Sequence, residues 1–282
     1  MAATIEPQTR KKRRTPFSIS PNPNTLFFTP NLERAIKHTR YTIDYKQGVT
    51  AILGDVGTGK SSLLRYIWNE YDAAEDWVAV LIASPSFKTE FAMLQTICQI
   101  VGITAKRSFN AQMRAFEEWL IEKYASDTGV VLFIDEAQKL TTGQLELVRD
   151  CLNFETNEEK LIEIILAGQI ELRDRLKAPG MRALESRLSA PSLLKPMKRE
   201  ELAGMIAHRC KLYDIDNPFS PDCVERIFLL SRGVPRAAIR LCALAYSLSE
   251  ASFPITTDVV DTAFAELQIE EAKEDFDSEG IE

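Results

Sequence analysis

Four short stretches of the chain are apolar almost without interruption: Val49–Leu53, Trp77–Ile82, Val130–Ile134 and Ile162–Leu166. Runs of that length and kind predict strands buried on both faces. Helical periodicity fills the intervals. Leu32, Ile36, Thr39 and Ile43 share one face of a helix from 31 to 45, with Asn31 available as its cap. Leu63, Leu64 and Ile67 mark a helix from Lys60 to about Tyr71, and further helices are predicted near 89–101, 110–124 and 143–153. Segments near 170–177 and 181–188, parted by Pro179-Gly180, precede a fifth short apolar run at 190–194. Strands alternating with helices predict an α/β fold, a five-stranded parallel sheet covered on both sides. After Pro196 the pattern is helical throughout, near 198–212, 221–231, 234–249 and 257–268, with breaks at Asn217-Pro218, Gly233-Val234-Pro235 and Phe253-Pro254.

Charge changes the picture at the two ends. Arg10, Lys11, Lys12, Arg13 and Arg14 face only Glu6 within residues 1–14, and seven acids face only Lys273 within 269–282. The net charge of −7 therefore leaves a body of −5, so any nucleic-acid role has to be local. Pro16, Pro21 and Pro23 exclude helix from the segment after the basic run and favour an extended, docked strap. The resulting division is a basic arm and strap at 1–24, an αβα core at 25–195, a helical domain at 196–268 and an acidic tail at 269–282, expected to be disordered. No stretch approaches the ~18 apolar residues of a membrane span, and no signal-peptide pattern opens the chain. Cys98, Cys151, Cys210, Cys223 and Cys242 lie scattered in apolar helical patterns without metal-ligand spacing, which predicts buried thiols in a reduced, cytoplasmic protein.

Candidate chemistry begins at Gly54-Asp55-Val56-Gly57-Thr58-Gly59-Lys60-Ser61, followed by Ser62. A glycine-rich turn between strand and helix lets backbone N–H groups surround a polyphosphate at a helix N-terminus. Lys60 is then expected on the β- and γ-phosphates of ATP, and the Ser61 hydroxyl on Mg²⁺. Asp135-Glu136 ends the third strand. Asp135 suits the metal and Glu136 suits activation of water, although acidic residues there also cap helices. Gln169, ending the fourth strand, can hold the γ-phosphate and attacking water, or simply serve the turn after Gly168. Arg182 and Arg187 are placed to reach a neighbouring subunit's phosphates, and Arg236, opening a helix after Gly233-Val234-Pro235, to reach the γ-phosphate of its own; all three residue types are also ordinary on surfaces.

These residues resemble the AAA+ ATPases, and within them the branch holding the secretion-associated ExeA-type ATPases and the TniB, MuB and TnsC transposition regulators. The resemblance covers roughly 16–268. It is carried by Pro16–Asn24, Gly54–Ser61, Phe133–Gln138, Asn153-Phe154-Glu155-Thr156, Leu166–Gln169 with Glu171-Leu172, and Gly233–Arg236. It implies a P-loop AAA+ core with a helical lid. By it Gln169 is the first sensor, Arg236 the second, and the Arg182/Arg187 helix carries the arginine finger. It also implies a homo-oligomer, a ring expected to be hexameric or a helical filament, with ATP between subunits.

ExeA-type proteins continue into a membrane span and a periplasmic cell-wall-binding domain, whereas this sequence ends after the helical region and adds the basic arm and acidic tail. The expectation is therefore an ATPase acting on duplex DNA in transposition, with a transposase or target-selection protein as partner. An ExeA-like assembly ATPase without nucleic acid is the alternative. By the same resemblance Lys88, Lys106 and Arg107 fall where filament-forming relatives line the DNA path, while Arg13 and Arg14 can track phosphates from the arm. Each of these cations is otherwise an ordinary solvated side chain.

Overall fold

The computed structural model describes residues 16–20, 22–249 and 253–279. Two compact units are present: one spans Pro21–Met197, and the other joins Met1–Ser20 to Lys198–Glu282.

The larger unit is built on five parallel strands, β1 (Val49–Gly54), β2 (Trp77–Ile82), β3 (Gly129–Ile134), β4 (Glu163–Gly168) and β5 (Ser192–Leu194), in the order β2-β3-β4-β1-β5. Successive side chains point to opposite faces, and both faces are covered. On one, Val49, Ala51, Leu53, Leu132, Ile134, Ile164 and Leu166 pack against α3 (Glu90–Ile100), α4 (Phe109–Ala125), α5 (Thr142–Cys151) and α6 (Ile170–Leu176). On the other, Ile52, Val131, Phe133, Ile165 and Ala167 meet α1 (Pro30–Asp44) and α2 (Lys60–Asp72). This two-sided burial is why the strands lack alternation. A short helix α7 (Arg182–Glu185) follows a 3₁₀ turn at Pro179–Met181. All five cysteines are buried, as their apolar settings predict.

Helix α1 starts two residues earlier than its sequence pattern suggests. Thr29 is the N-cap, its side chain accepting the Leu32 N–H, and Pro30 takes the first helical position. Asn31 has another task. Its Nδ2 donates to Leu193 O at 3.1 Å and its Oδ1 accepts from Lys195 N at 3.0 Å, so one amide grips the outer side of β5.

At the start of the middle strand, β4, Glu163 is fully buried, with Lys46 Nζ 3.3 Å from its Oε2 and no hydrogen-bond partner on Oε1. Burial pushes this carboxyl up to about 8, against the pull of Lys46. The unfolded chain releases this proton near 4.5, so between these values the folded state binds more protons. The sign is then fixed: this site's contribution to stability falls as pH rises from about 5 to about 8, by at most about tenfold in the folding constant per unit. Urea midpoints measured across that range should decline in the wild type and flatten in Glu163→Gln.

The smaller unit packs α8 (Arg199–Leu212), α9 (Pro221–Ser231), α10 (Pro235–Leu248) and α11 (Thr257–Glu279) around Leu202, Ile206, Cys223, Ile227, Leu241, Cys242 and Val260. The strap belongs here. Phe17 is 1% exposed, its ring 5.6 Å from Phe219 and 6.0 Å from Tyr246. Buried Arg209 donates through Nη1 to Pro16 O and Ser18 O. The expectation of a disordered stretch after Leu267 is corrected: α11 runs on to Glu279. Glu is the commonest residue of that extension, and its intrinsic helix propensity is high whatever the net charge.

Candidate active site

Parallel strands put the ends of β1, β4 and β3 on one edge, with Leu53 opposite Gly168 and Ile134 opposite Leu166. The carboxyl edge at the point where strand order reverses is where open α/β sheets bind ligands. The Gly54–Ser62 segment, Gln169 and Asp135-Glu136 therefore converge as their positions along the chain predicted.

Local geometry in the glycine-rich turn matches a phosphate cradle. Gly57 and Gly59 take φ of 78° and 101°, and a Cβ on Gly59 would meet nothing within 4 Å. Gly54 needs its missing side chain for packing, since a Cβ would lie 2.8 Å from Thr58 Oγ1 and 2.9 Å from Leu194 O. Thr58 Oγ1 donates to Asp55 O at 2.8 Å, and the Val56 N–H to Asp55 Oδ1 at 2.9 Å, so the turn holds its own shape. Lys60, 6% exposed, donates to Gly54 O and Asp55 O at 3.0 and 2.9 Å, which fixes its ammonium inside the loop. Gly59 caps α2 without a side chain, which leaves the helix start with Ser61 and Ser62 to an anionic ligand.

Asp135 is 5% exposed and its Oδ1 accepts the Glu136 N–H at 2.9 Å. Glu136 sits at φ 52°, a left-handed turn that sends the chain from β3 into the 3₁₀ turn Ala137–Lys139. Its Oε2 accepts from Gln138 Nε2 at 2.8 Å and lies 3.8 Å from Lys139 Nζ. Gln169 is the N-cap residue of α6, half-buried, and its N–H donates to Gln138 Oε1 at 3.1 Å. Ser61, Asp135 and Lys60 have the chemistry to hold Mg²⁺ and a triphosphate: a hydroxyl, a carboxylate on a buried strand end, and a cation within a ring of backbone amides.

The arginines fall differently. Arg187 Nη1 donates to Arg149 O at 3.1 Å and Asn153 Oδ1 at 2.8 Å within its own chain, while Arg182 is exposed on α7. Arg236 is exposed in the first turn of α10, in the helical unit. Lys88, Lys106 and Arg107 are exposed. Arg13 and Arg14 lie outside the described residues.

Four residues that periodicity alone did not single out hold this edge together. Buried Gln144 donates to Phe87 O at 2.9 Å, anchoring the loop that carries Lys88. Buried Gln112 accepts the Lys106 N–H at 2.7 Å and anchors the next basic loop. Gln138 and Arg175 bind the turn after Glu136 to α6. The available signal for Gln112 and Gln144 was an amide standing at a core-facing position of an amphipathic helix.

The parallel sheet and its glycine-rich turn define a P-loop nucleotide-binding domain, with residues suited to ATP and Mg²⁺. Residues 43–176 match the family model described as the AAA domain. The chain is 30% identical over 230 residues to general secretion pathway protein A of Aeromonas hydrophila; the match takes in 80% of this chain and 42% of that protein. Less than half the relative's length is thus represented. Among solved structures it is similar to the Aeropyrum pernix ORC2 protein in its ADPNP–ADP complexes, at TM-score 0.60 and 18% identity, covering 83% of this chain and 66% of that one. It is likewise similar to the Aeropyrum pernix ORC1 protein in complex with DNA, at TM-score 0.60 and 16% identity, covering 90% and 69%. Among the described residues no helix is long and apolar enough to cross a membrane.

Proposed function

We propose that this chain is a cytoplasmic, ATP-switched ATPase that assembles as a ring or filament on duplex DNA and regulates transposition by selecting targets and recruiting a transposase. Lys60 and the Gly54–Ser62 amides would hold the triphosphate, and Ser61 and Asp135 would hold Mg²⁺, whose charge would offset that of the phosphates. Glu136 takes the proton from the attacking water and Gln169 orients that water against the γ-phosphate. Arg236 reads the nucleotide from the helical unit. A neighbouring copy supplies Arg182 or Arg187, the latter only after leaving Asn153, so assembly and turnover become linked.

One observation carries the DNA part. Lys88 and Arg107 each stand immediately before the N-caps, Thr89 and Ser108, of α3 and α4. The rings of Phe91 and Phe109, 6.3 Å apart, draw those two helix starts together. Lys106 is beside them, its backbone tied to Gln95 and Gln112. Three exposed cations next to two positive helix ends suit a phosphate backbone on a protein that is otherwise acidic. Pro16–Asn24, Asn153–Thr156 and Leu166–Gln169 support only the branch that holds both ExeA-type ATPases and transposition regulators, and the DNA reading selects the latter. The 30% identity to the secretion protein supports the second reading, an ExeA-like assembly ATPase that handles no nucleic acid.

Electron microscopy with an ATP analogue, with and without duplex DNA, separates the two. Rings or filaments that require or lengthen on DNA support the first; assemblies indifferent to DNA support the second. Replacing Lys88, Lys106 and Arg107 by Ala should also lower the log–log salt slope of DNA binding by about 2 to 3. An unchanged slope would remove these residues from the interface.

A further inference from the structure

Gln138 follows Asp135-Glu136-Ala137 and has no part in the chemistry so far. Its side chain is nonetheless the bridge between two strand ends. Nε2 donates to Glu136 Oε2 at 2.8 Å, and Oε1 accepts the Gln169 N–H at 3.1 Å. A carboxylate on one side and an N–H on the other leave a single workable amide orientation. Space for it depends on Gly168: a Cβ there would meet Gln138 Oε1 at 3.2 Å and Leu172 Cδ2 at 2.6 Å.

The backbone beneath Gln138 is fixed as well. Arg175, near the end of α6, donates through Nη1 to Gln138 O at 2.7 Å and through Nη2 to Leu140 O at 2.5 Å. Helix α6 therefore grips the 3₁₀ turn at two places: its N-cap N–H takes the Gln138 side chain, and its last turn takes the backbone. Lys139 approaches the same carboxylate oxygen, its Nζ 3.8 Å from Glu136 Oε2 and 3.3 Å from Ser84 Oγ. Two donors thus compete for one carboxylate, and Gln138 is the nearer.

We infer that Gln138 is a positioning residue that couples the end of β4, where Gln169 meets the γ-phosphate, to the carboxylate of Glu136 that activates water. The inference rests on the roles proposed above for Glu136 and Gln169. A shift of Gln169 moves the N–H that holds Gln138 Oε1, and the other end of the same amide carries the shift to Glu136 Oε2. Without Gln138, Lys139 becomes the carboxylate's closest polar partner and draws it away from that place.

Two variants test this. Gln138→Met removes both hydrogen bonds at similar length; Gln138→Glu keeps an acceptor for Gln169 N–H but puts a repelling carboxylate beside Glu136. Each should lower kcat for ATP ~10- to 100-fold, the scale of a misplaced reacting group, with ADP affinity and melting temperature near wild type. In a Glu136→Gln background, Gln138→Met should change the residual rate by less than about twofold, because its effect passes through the carboxylate already removed. A wild-type kcat in both variants, a loss of ADP affinity instead of kcat, or an equal loss in both backgrounds would overturn the inference. Should Glu136→Gln alone turn over ATP at the wild-type rate, the water-activating role itself fails and this coupling fails with it. If Glu136→Gln is inactive while both Gln138 variants are unimpaired, only the coupling is lost.

Discussion

Glu136→Gln should cut ATP turnover by 10²- to 10⁴-fold, the span that a positioned general base supplies, while leaving nucleotide affinity unchanged. The expectation follows from where the two functions sit. The proposed binding belongs to the Gly54–Ser62 turn, whose shape comes from its own Thr58 and Asp55 contacts and from Lys60 against the Gly54 and Asp55 carbonyls. The proton removal proposed for Glu136 would take place at the end of β3, two strands away across β4. The substitution alters one atom of the carboxyl group, and an amide oxygen at that place can still accept from Gln138. Phosphate release and fluorescent-ADP titration on the same preparation check both halves. Any ATP-dependent assembly should persist longer in the variant. Wild-type turnover would remove Glu136 from the chemistry; lost ADP affinity would mean that binding and catalysis are not separable in this way.

Phe17→Ala should destabilise the helical unit by about 3 to 5 kcal/mol, which for a unit of this size lowers its melting temperature by roughly 15 °C or more. Phe17 lies outside the helices in sequence but is 1% exposed among them, edge-on to Phe219 and Tyr246. Removing the ring empties a space that the strap cannot refill easily, because Arg209 holds the carbonyls on both sides of it. Hydrogen exchange in α8, α9 and α10 should accelerate while the strands of the larger unit stay protected. Unchanged exchange and melting would mean that the strap is a surface ornament of this unit rather than part of its core.

Much of this architecture was legible because two signals were strong. Wholly apolar runs mark β1 to β4, and the strand–glycine turn–helix context of Gly54–Ser61 points to the carboxyl edge of β1. Helix ends were harder. Thr29 and Asn31 are both good caps, and the choice was made by Pro30, which prefers the first helical position, and by β5, which claims the Asn31 amide. In the acidic stretch after Leu267 charge points to disorder, whereas the local propensity of its glutamates favours the helix that forms. Within the site, Asp135, Glu136 and Gln169 could be placed from strand ends alone. Gln138, Arg175, Gln112 and Gln144 could not, because their importance lies in partners 31 to 57 positions distant or in a turn geometry that periodicity does not encode. The same holds for Arg187, whose bond to Asn153 depends on how α7 returns past α5.

The grip of Asn31 on β5 has a consequence for how copies can join. A three-residue border strand ordinarily offers its outer N–H and C=O groups as a template for another chain. Here Leu193 O and Lys195 N are already engaged by a side-chain amide from the same molecule. On that flank the sheet is closed to ribbon-like extension from one molecule into the next. Any contact between copies on that flank would then run through side chains rather than through a continuous backbone seam.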